Sequence, residues 1–107
     1  MNLLFICSKN QWRSPTAERI FQDYPQLSVR SAGTLRSARR WVNTTDIRWA
    51  DIIFVMENKH KRYLQQPFTN EGTNKRLIVL DIPDDYQYMD DELVAWLIEA
   101  VEYQLAL

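Results

Sequence analysis

Three short and nearly continuous apolar runs constrain the fold of this 107-residue chain more than any other feature. They are Leu3–Ile6, Asp51–Met56 and Arg76–Leu80. A run of this kind is typical of a strand that is buried on both faces, as in a parallel sheet. A fourth segment, Leu27–Ser31, alternates apolar and polar residues, which predicts an edge strand with one wetter face.

Segments with helical spacing separate these strands. Ser14-Pro15 predicts the start of the first helix, with serine as the cap and proline in the first turn, and Pro25 closes that helix. Thr44 or Thr45 is expected to cap a short second helix. The other predicted helices are Glu57–Gln65, stopped by Pro67, and one from about Asp90 to the end, while Thr34–Asn43 and Pro67–Lys75 are predicted loops.

Strands that alternate with helices predict a parallel sheet with right-handed crossovers. We therefore expect a doubly wound α/β fold, with a four-stranded parallel sheet and helices on both faces. At this length, residues 1–107 are expected to form a single domain. Such sheets bind ligands at the carboxyl ends of their strands, where the winding reverses.

The distribution of charged residues and the length of the apolar runs indicate which kinds of partner the chain can bind. All 13 lysines and arginines lie in residues 1–76, which carry a net charge of +7, whereas residues 77–107 carry −8. The basic portion should attract anions, although a pI of 5.8 argues against a dedicated nucleic-acid binder. No apolar run approaches the roughly 20 residues of a membrane span, and Met1–Ile6 lacks the basic start of a signal peptide. We expect a cytoplasmic protein without membrane contact.

Cys7 is the only cysteine, so no intrachain disulfide can form. One cysteine, one histidine and scattered carboxylates do not match the ligand spacing of a four-ligand zinc site, and we predict no metal and no cofactor. Cys7 is then either an inert core thiol or a reactive one.

The segment between the first strand and the first helix distinguishes these possibilities. It comprises Cys7, Ser8, Lys9, Asn10, Gln11, Trp12, Arg13 and Ser14. Unpaired N–H groups at a helix start, joined by those of a loop curling over it, form a nest for an anion such as phosphate or sulfate. Arg13 adds a planar fork for two phosphate oxygens, and the same field favours the thiolate of Cys7. The pattern therefore indicates a phosphate-binding loop, Ser8 to Ser14, with a built-in nucleophile.

With this loop at its amino terminus, the chain resembles the low-molecular-weight protein tyrosine phosphatase family. Three further stretches agree with that family: Ser31–Thr34 after the second strand, Ala50–Glu57 on the third, and Asp81–Tyr86, which is similar to the family's general-acid loop. The resemblance covers most of the chain, with shorter loops between the motifs.

The resemblance implies a role for each matching residue. Cys7 would be the nucleophile that forms a phosphocysteine, and Arg13 would hold the equatorial oxygens. Ser14 would donate a hydrogen bond to the thiolate, while Asn10 and Ser31 would pair to support the loop. Asp84 would protonate the leaving oxygen and later deprotonate the attacking water, without any metal.

Three positions depart from the family pattern. Lys9 replaces a common glycine, so it is either strained at positive φ or simply an added charge at the rim. Trp12 replaces a frequent second cysteine, which weakens an arsenate-reductase interpretation. Asp85 replaces a proline, so either Asp84 or Asp85 could be the acid, or both could belong to a polar turn.

Three hypotheses follow. The first is a cysteine-dependent phosphomonoesterase acting on phosphotyrosine in a protein or on a small aryl phosphate. The second is a phosphate-binding or phosphoprotein-binding module without catalysis. The third treats Arg36–Arg40 with Trp41 as a nucleic-acid contact. The alternative interpretation of this stretch is a solvated loop. His60 is expected on a helix surface or against the core, outside the chemistry.

Overall fold

The computed structural model describes residues 1–66 and 75–107. The predicted loop Pro67–Lys75 lies outside the described residues except for Lys75. The elements in chain order are β1 Asn2–Cys7, α1 Arg13–Phe21, β2 Ser28–Gly33, α2 Thr44–Trp49, β3 Ile52–Val55, α3 Asn58–Gln65, β4 Arg76–Val79 and α4 Asp91–Leu105.

The four strands form one parallel sheet in the order β2-β1-β3-β4. This confirms the predicted doubly wound α/β fold, including the position of β2 at an edge. The chain leaves the central strand β1, pairs β2 on one side, and returns to pair β3 on the other. The winding therefore reverses beside β1, and Cys7 is the last residue of that strand.

Two apolar layers cover the two faces of the sheet. On one face, α1 and α4 pack over Leu3 and Phe5, and the Phe5 ring stacks on Phe21 and Phe54 at centroid distances of 5.7 and 5.2 Å. On the other face, Ile47 of α2 and Leu64 of α3 belong to a second buried apolar cluster. Alternate residues of β1 enter opposite layers, so β1 is apolar throughout.

Two predicted helix caps are wrong, and the reason is the local backbone. Helix α1 already begins at Arg13, with Trp12 as its N-cap, so Ser14 lies inside the first turn and does not cap it. Helix α2 is capped by Asn43, whose side chain accepts from the Asp46 N–H at 2.9 Å, and not by Thr44 or Thr45. Asn43 has the extended backbone that a cap requires, and Asp46 completes a reciprocal capping box.

Other boundaries lie close to their predicted positions. Helix α4 begins after Asp90, whose carboxylate accepts from the N–H groups of Glu92 and Leu93. Helix α1 ends at Phe21, before the predicted stop at Pro25. The predicted loop Thr34–Asn43 contains no helix or strand beyond an isolated bridge between Gly33 and Trp41. Among the described residues, no helix combines the length and apolar character needed to cross a membrane.

Candidate active site

The loop between β1 and α1 lies at the point where the winding of the sheet reverses. Within the described ranges, the backbone N–H groups of residues 8 to 14 donate to no other protein atom. Asn10, at the middle of the loop, has a φ of 52°, in the left-handed region that asparagine tolerates better than most residues. A loop of unpaired amides at a helix start is a ready-made anion site.

A small pocket opens over this loop. Its lining consists of Cys7, Lys9, Gln11, Trp12, Arg13 and Asp84. The structure thus brings together all three side chains predicted to be catalytic, although Asp84 lies far from the other two in sequence. Cys7 is only 3% exposed, so its thiol is reached through this pocket and not from the open surface.

Ser8, Asn10 and Ser14, the other residues of the predicted phosphate-binding set, do not line the pocket. Asn10 and Ser14 are fully buried, and the Ser14 hydroxyl lies 2.9 Å from the Cys7 sulfur. The Asn10 amide donates to the hydroxyls of Ser14 and Ser31, each at 2.9 Å. The predicted supporting residues are therefore in direct contact, and they connect the loop to β2.

Arg13 is buried, with 2% of its side chain exposed. Its Nη1 atom donates to the Glu57 carboxylate at 2.6 Å and to the Ile82 carbonyl at 2.8 Å. Its Nε atom lies 3.7 Å from the Asp84 carboxylate. These contacts at Nη1 and Nε fix the guanidinium, whose planar fork can bind two oxygens of an oxyanion.

Glu57 and His60 are functional candidates that sequence reasoning missed. Burial acts to raise the pKa of Glu57, but the hydrogen bond and charge of Arg13 outweigh it, so this pKa lies below its ordinary value of 4.5. Glu57 immediately precedes α3 and follows β3, at the same sheet edge as Cys7. The sequence position of Glu57, directly after a predicted strand, could have identified it as a site residue, because parallel strands end at a common edge of the sheet.

His60 is buried beside the loop, so of the two predicted positions the helix surface is excluded and the buried one is observed. Its Nδ1 atom accepts from the Glu57 N–H at 3.0 Å, and its Nε2 atom lies 2.9 Å from the Ser8 hydroxyl. Because Nδ1 is an acceptor, the ring proton resides on Nε2 and is donated to Ser8. Burial, together with the nearby Arg13 charge, lowers the pKa of His60 from 6.5 to about 4.

The departures from the family pattern have a structural account. Lys9 has no positive φ, so it is an exposed cation at the pocket wall and not a strained residue. Trp12 supplies the aromatic part of that wall. Asp85 is exposed and, unlike Asp84, does not line the pocket.

The Arg36–Arg40 stretch supports the site by donating hydrogen bonds to backbone carbonyls of the phosphate-binding loop. The N–H of Arg39 donates to the Lys9 carbonyl, and the Arg39 side chain donates to the Asn10 carbonyl at 3.1 Å. Gly33 permits this close approach, because a Cβ at that position would lie 2.5 Å from the Ser8 carbonyl oxygen. In the described part of the chain, no cluster of three His, Cys, Asp or Glu residues could hold a metal ion.

A parallel α/β sheet with a thiol, a buried guanidinium and a carboxylate around an anion loop defines the class of small cysteine-based phosphatases. Comparison with known proteins narrows the class. Residues 2–43 match the family model described as "Low molecular weight phosphotyrosine protein phosphatase". A curated relative from Acinetobacter johnsonii, "Low molecular weight protein-tyrosine-phosphatase Ptp", is 30% identical over an alignment covering 81% of each protein. The chain therefore belongs to the low-molecular-weight protein tyrosine phosphatase family, whose members are cysteine-based hydrolases.

Solved structures show the same fold at lower identity. The tyrosine phosphatase Wzb from Escherichia coli K30, in complex with phosphate, is 20% identical, with a TM-score of 0.78 and coverage of 98% of this chain and 96% of Wzb. The YwlE arginine phosphatase from Geobacillus stearothermophilus is 18% identical, with a TM-score of 0.72 and coverage of 98% and 94%.

Proposed function

We propose that this chain is a cysteine-dependent phosphomonoesterase that acts on phosphotyrosine in proteins or on small aryl phosphates. The observation that carries the proposal is the pocket itself, in which the Cys7 thiol, the Arg13 guanidinium and the Asp84 carboxylate face the same small space. Residues 1–107 would act as one phosphatase domain, and a cytoplasmic location remains a prediction.

The proposed reaction has two steps. The Cys7 thiolate attacks phosphorus, the ester P–O bond breaks, and the leaving oxygen takes a proton from Asp84. Water then attacks the phosphocysteine, the S–P bond breaks, Asp84 regains a proton from that water, and the thiolate and inorganic phosphate are released. A covalent intermediate of this kind divides one difficult displacement into two easier ones.

Charge placement supports both steps. The unpaired amides of residues 8 to 14 and the Arg13 guanidinium would bind the equatorial phosphate oxygens, where negative charge is spread in the transition state. An incoming dianion would compete with Asp84 for Arg13 and repel the Asp84 carboxylate. The proposed first step requires Asp84 to donate a proton to the leaving oxygen, which is the role of a general acid.

Trp12 favours an aryl leaving group, because its indole forms the aromatic wall of the pocket. Structural neighbours include both tyrosine and arginine phosphatases, so the substrate class needs a direct comparison. A panel of p-nitrophenyl phosphate, phosphotyrosine peptide and phosphoarginine peptide would provide it. We expect the two aryl esters to be hydrolysed faster than phosphoarginine.

Cys7→Ser is the decisive variant. Its turnover of p-nitrophenyl phosphate should be lost, while calorimetry should still detect binding of inorganic phosphate or sulfate to the loop. Undiminished turnover in Cys7→Ser would refute the proposed nucleophile. Phosphate binding without turnover of any panel member by the unmodified chain would instead indicate a non-catalytic phosphate-binding module.

A further inference from the structure

A buried chain of hydrogen bonds connects the Cys7 sulfur to the carboxylate of Glu18. The Ser14 hydroxyl contacts Cys7 at 2.9 Å, and the Asn10 amide contacts the Ser14 and Ser31 hydroxyls. The Ser31 hydroxyl ends the chain on Glu18 at 2.5 Å. The three middle residues are each at most 1% exposed, whereas Glu18 at the end of the chain is half-buried.

The carboxylate determines which atom donates in every link. A carboxylate oxygen accepts hydrogen bonds, and the Ser31 hydroxyl donates its hydrogen to Glu18. The Ser31 oxygen then accepts one N–H of the Asn10 amide, and the second N–H goes to Ser14. Since the Ser14 oxygen already accepts, its own hydrogen remains for an acceptor.

The sulfur is the nearer of two acceptors for that hydrogen. Cys7 Sγ lies 2.9 Å from the Ser14 oxygen, whereas the Ala32 carbonyl lies at 3.5 Å. A hydroxyl that donates to the sulfur stabilises the thiolate and not the thiol, because hydrogen bonds to a charged partner are the stronger ones.

A reversed network is available, and Glu18 opposes it. Among the described residues, Asn10 Oδ1 is the buried side-chain oxygen or nitrogen without a hydrogen-bond partner. Rotating the Asn10 amide by half a turn would let this oxygen accept from both the Ser14 and Ser31 hydroxyls. The Asn10 oxygen would then be paired, but the two Asn10 N–H groups would lose Ser14 and Ser31 as acceptors. Ser14 would also no longer donate to Cys7, and Glu18 would lose the Ser31 hydrogen.

We propose that Glu18 is a positioning residue that sets the direction of this hydrogen-bond chain, so that Ser14 donates to the Cys7 thiolate. Glu18 acts through Ser31, Asn10 and Ser14 and touches neither the sulfur nor the substrate. The inference deepens the proposed function and rests on Cys7 as its nucleophile.

The proposal and simple electrostatics predict opposite changes in the stability of the Cys7 thiolate when the Glu18 carboxylate is removed. Removing a negative charge near a basic pocket should favour the thiolate through long-range electrostatics. Removing the acceptor that orients Ser14 should instead disfavour the thiolate. Glu18→Met tests which effect dominates, because methionine keeps the length of the side chain but cannot accept the Ser31 hydrogen effectively.

The measurement is the rate of Cys7 alkylation by iodoacetamide at about pH 6, with thiolate ultraviolet absorbance across pH as a second readout. We expect Glu18→Met to slow alkylation at least about tenfold, the scale of one hydrogen bond to a charged group. Asp23→Asn is the matched control. It removes a carboxylate that follows the same helix but is 71% exposed and paired with Arg19, and it should leave the rate unchanged.

A double-mutant cycle tests whether Glu18 affects the alkylation rate of Cys7 through Ser14. In a Ser14→Ala background, Glu18→Met should cause no further slowing, because the chain to the sulfur is already cut. Ser31→Ala should reproduce the slowing of Glu18→Met, which provides a second variant if the first unfolds. Circular dichroism establishes that each variant is folded.

An equal or faster alkylation rate in folded Glu18→Met would overturn the proposal, as would additive slowing with Ser14→Ala. Neither readout requires turnover. A chain that hydrolyses no phosphate ester but shows the predicted alkylation pattern would therefore contradict the proposed function and leave the role of Glu18 intact.

Discussion

His60 should make the stability of this protein depend on pH between about 4 and 6.5. In the folded chain the ring is buried, accepts the Glu57 N–H on Nδ1, and has a pKa of about 4. In the unfolded chain the pKa returns to its ordinary value of 6.5. Between these values only the unfolded state binds the proton, so acidification favours unfolding.

The magnitude follows from the two pKa values. Each pH unit between them is worth about 1.4 kcal/mol, so lowering the pH from 7 to 5 should reduce the free energy of unfolding by about 2 kcal/mol. Below about pH 4.5 Glu57 adds to the loss. Its folded pKa is depressed, so its stabilising contribution is present above 4.5 and disappears as it is protonated.

Urea denaturation at pH 7 and pH 5 measures this difference directly. The comparison variant is His60→Gln, which offers an amide oxygen to the Glu57 N–H and an amide N–H to Ser8 but does not titrate. We expect the variant to be less stable than the native chain at pH 7 and to lose much less stability at pH 5. Equal losses in the two proteins would refute the assignment of this pH dependence to His60.

Two further predictions concern the pocket and its support. Asp84→Asn should lower kcat for phenyl phosphate about 10²–10⁴-fold, and lower it less for p-nitrophenyl phosphate, which has a better leaving group. Asp85→Asn should change kcat by less than about threefold. Equal losses of kcat in the two variants would show that Asp84 is not the sole acid. Gly33→Ala should reduce the free energy of unfolding by about 1–3 kcal/mol and weaken phosphate affinity, because its Cβ would lie 2.5 Å from the Ser8 carbonyl and 2.6 Å from the Ala38 Cβ. Unchanged urea midpoint and phosphate affinity would contradict it.

The architecture was predictable because buried parallel strands leave a strong one-dimensional signal. Leu3–Ile6 and Ile52–Val55 are apolar on both faces, and an apolar segment this short is more often a buried strand than a helix. Helix caps were less predictable. Asn43, Thr44 and Thr45 can all cap a helix by composition, and the choice depends on which residue has extended backbone and which carboxylate lies three positions on.

From the residues alone, without the family resemblance, the site was predictable only where its residues are contiguous. Cys7 and Arg13 share one loop, so their association follows from the loop itself. The partners of Arg13 come from elsewhere: Glu57 follows β3, and Ile82 contributes a backbone carbonyl that no side-chain pattern records. Asp84 was found through the family resemblance, since a carboxylate in a polar turn has no local signature of its own.

Departures from ordinary protein chemistry are concentrated around the phosphate loop. Asn10 has a left-handed backbone and an unpaired amide oxygen, Arg13 is a buried cation, and His60 is held neutral. Each is unfavourable by itself, and each is maintained by contacts from other parts of the chain. Ser31 of β2 holds Asn10, Glu57 and the Ile82 carbonyl hold Arg13, and the Glu57 N–H and Ser8 hold His60. Contacts drawn from several elements hold a loop in place before a ligand arrives. Phosphate binding should consequently involve little rearrangement, and the free energy that would otherwise be used to order the loop is available for the transition state.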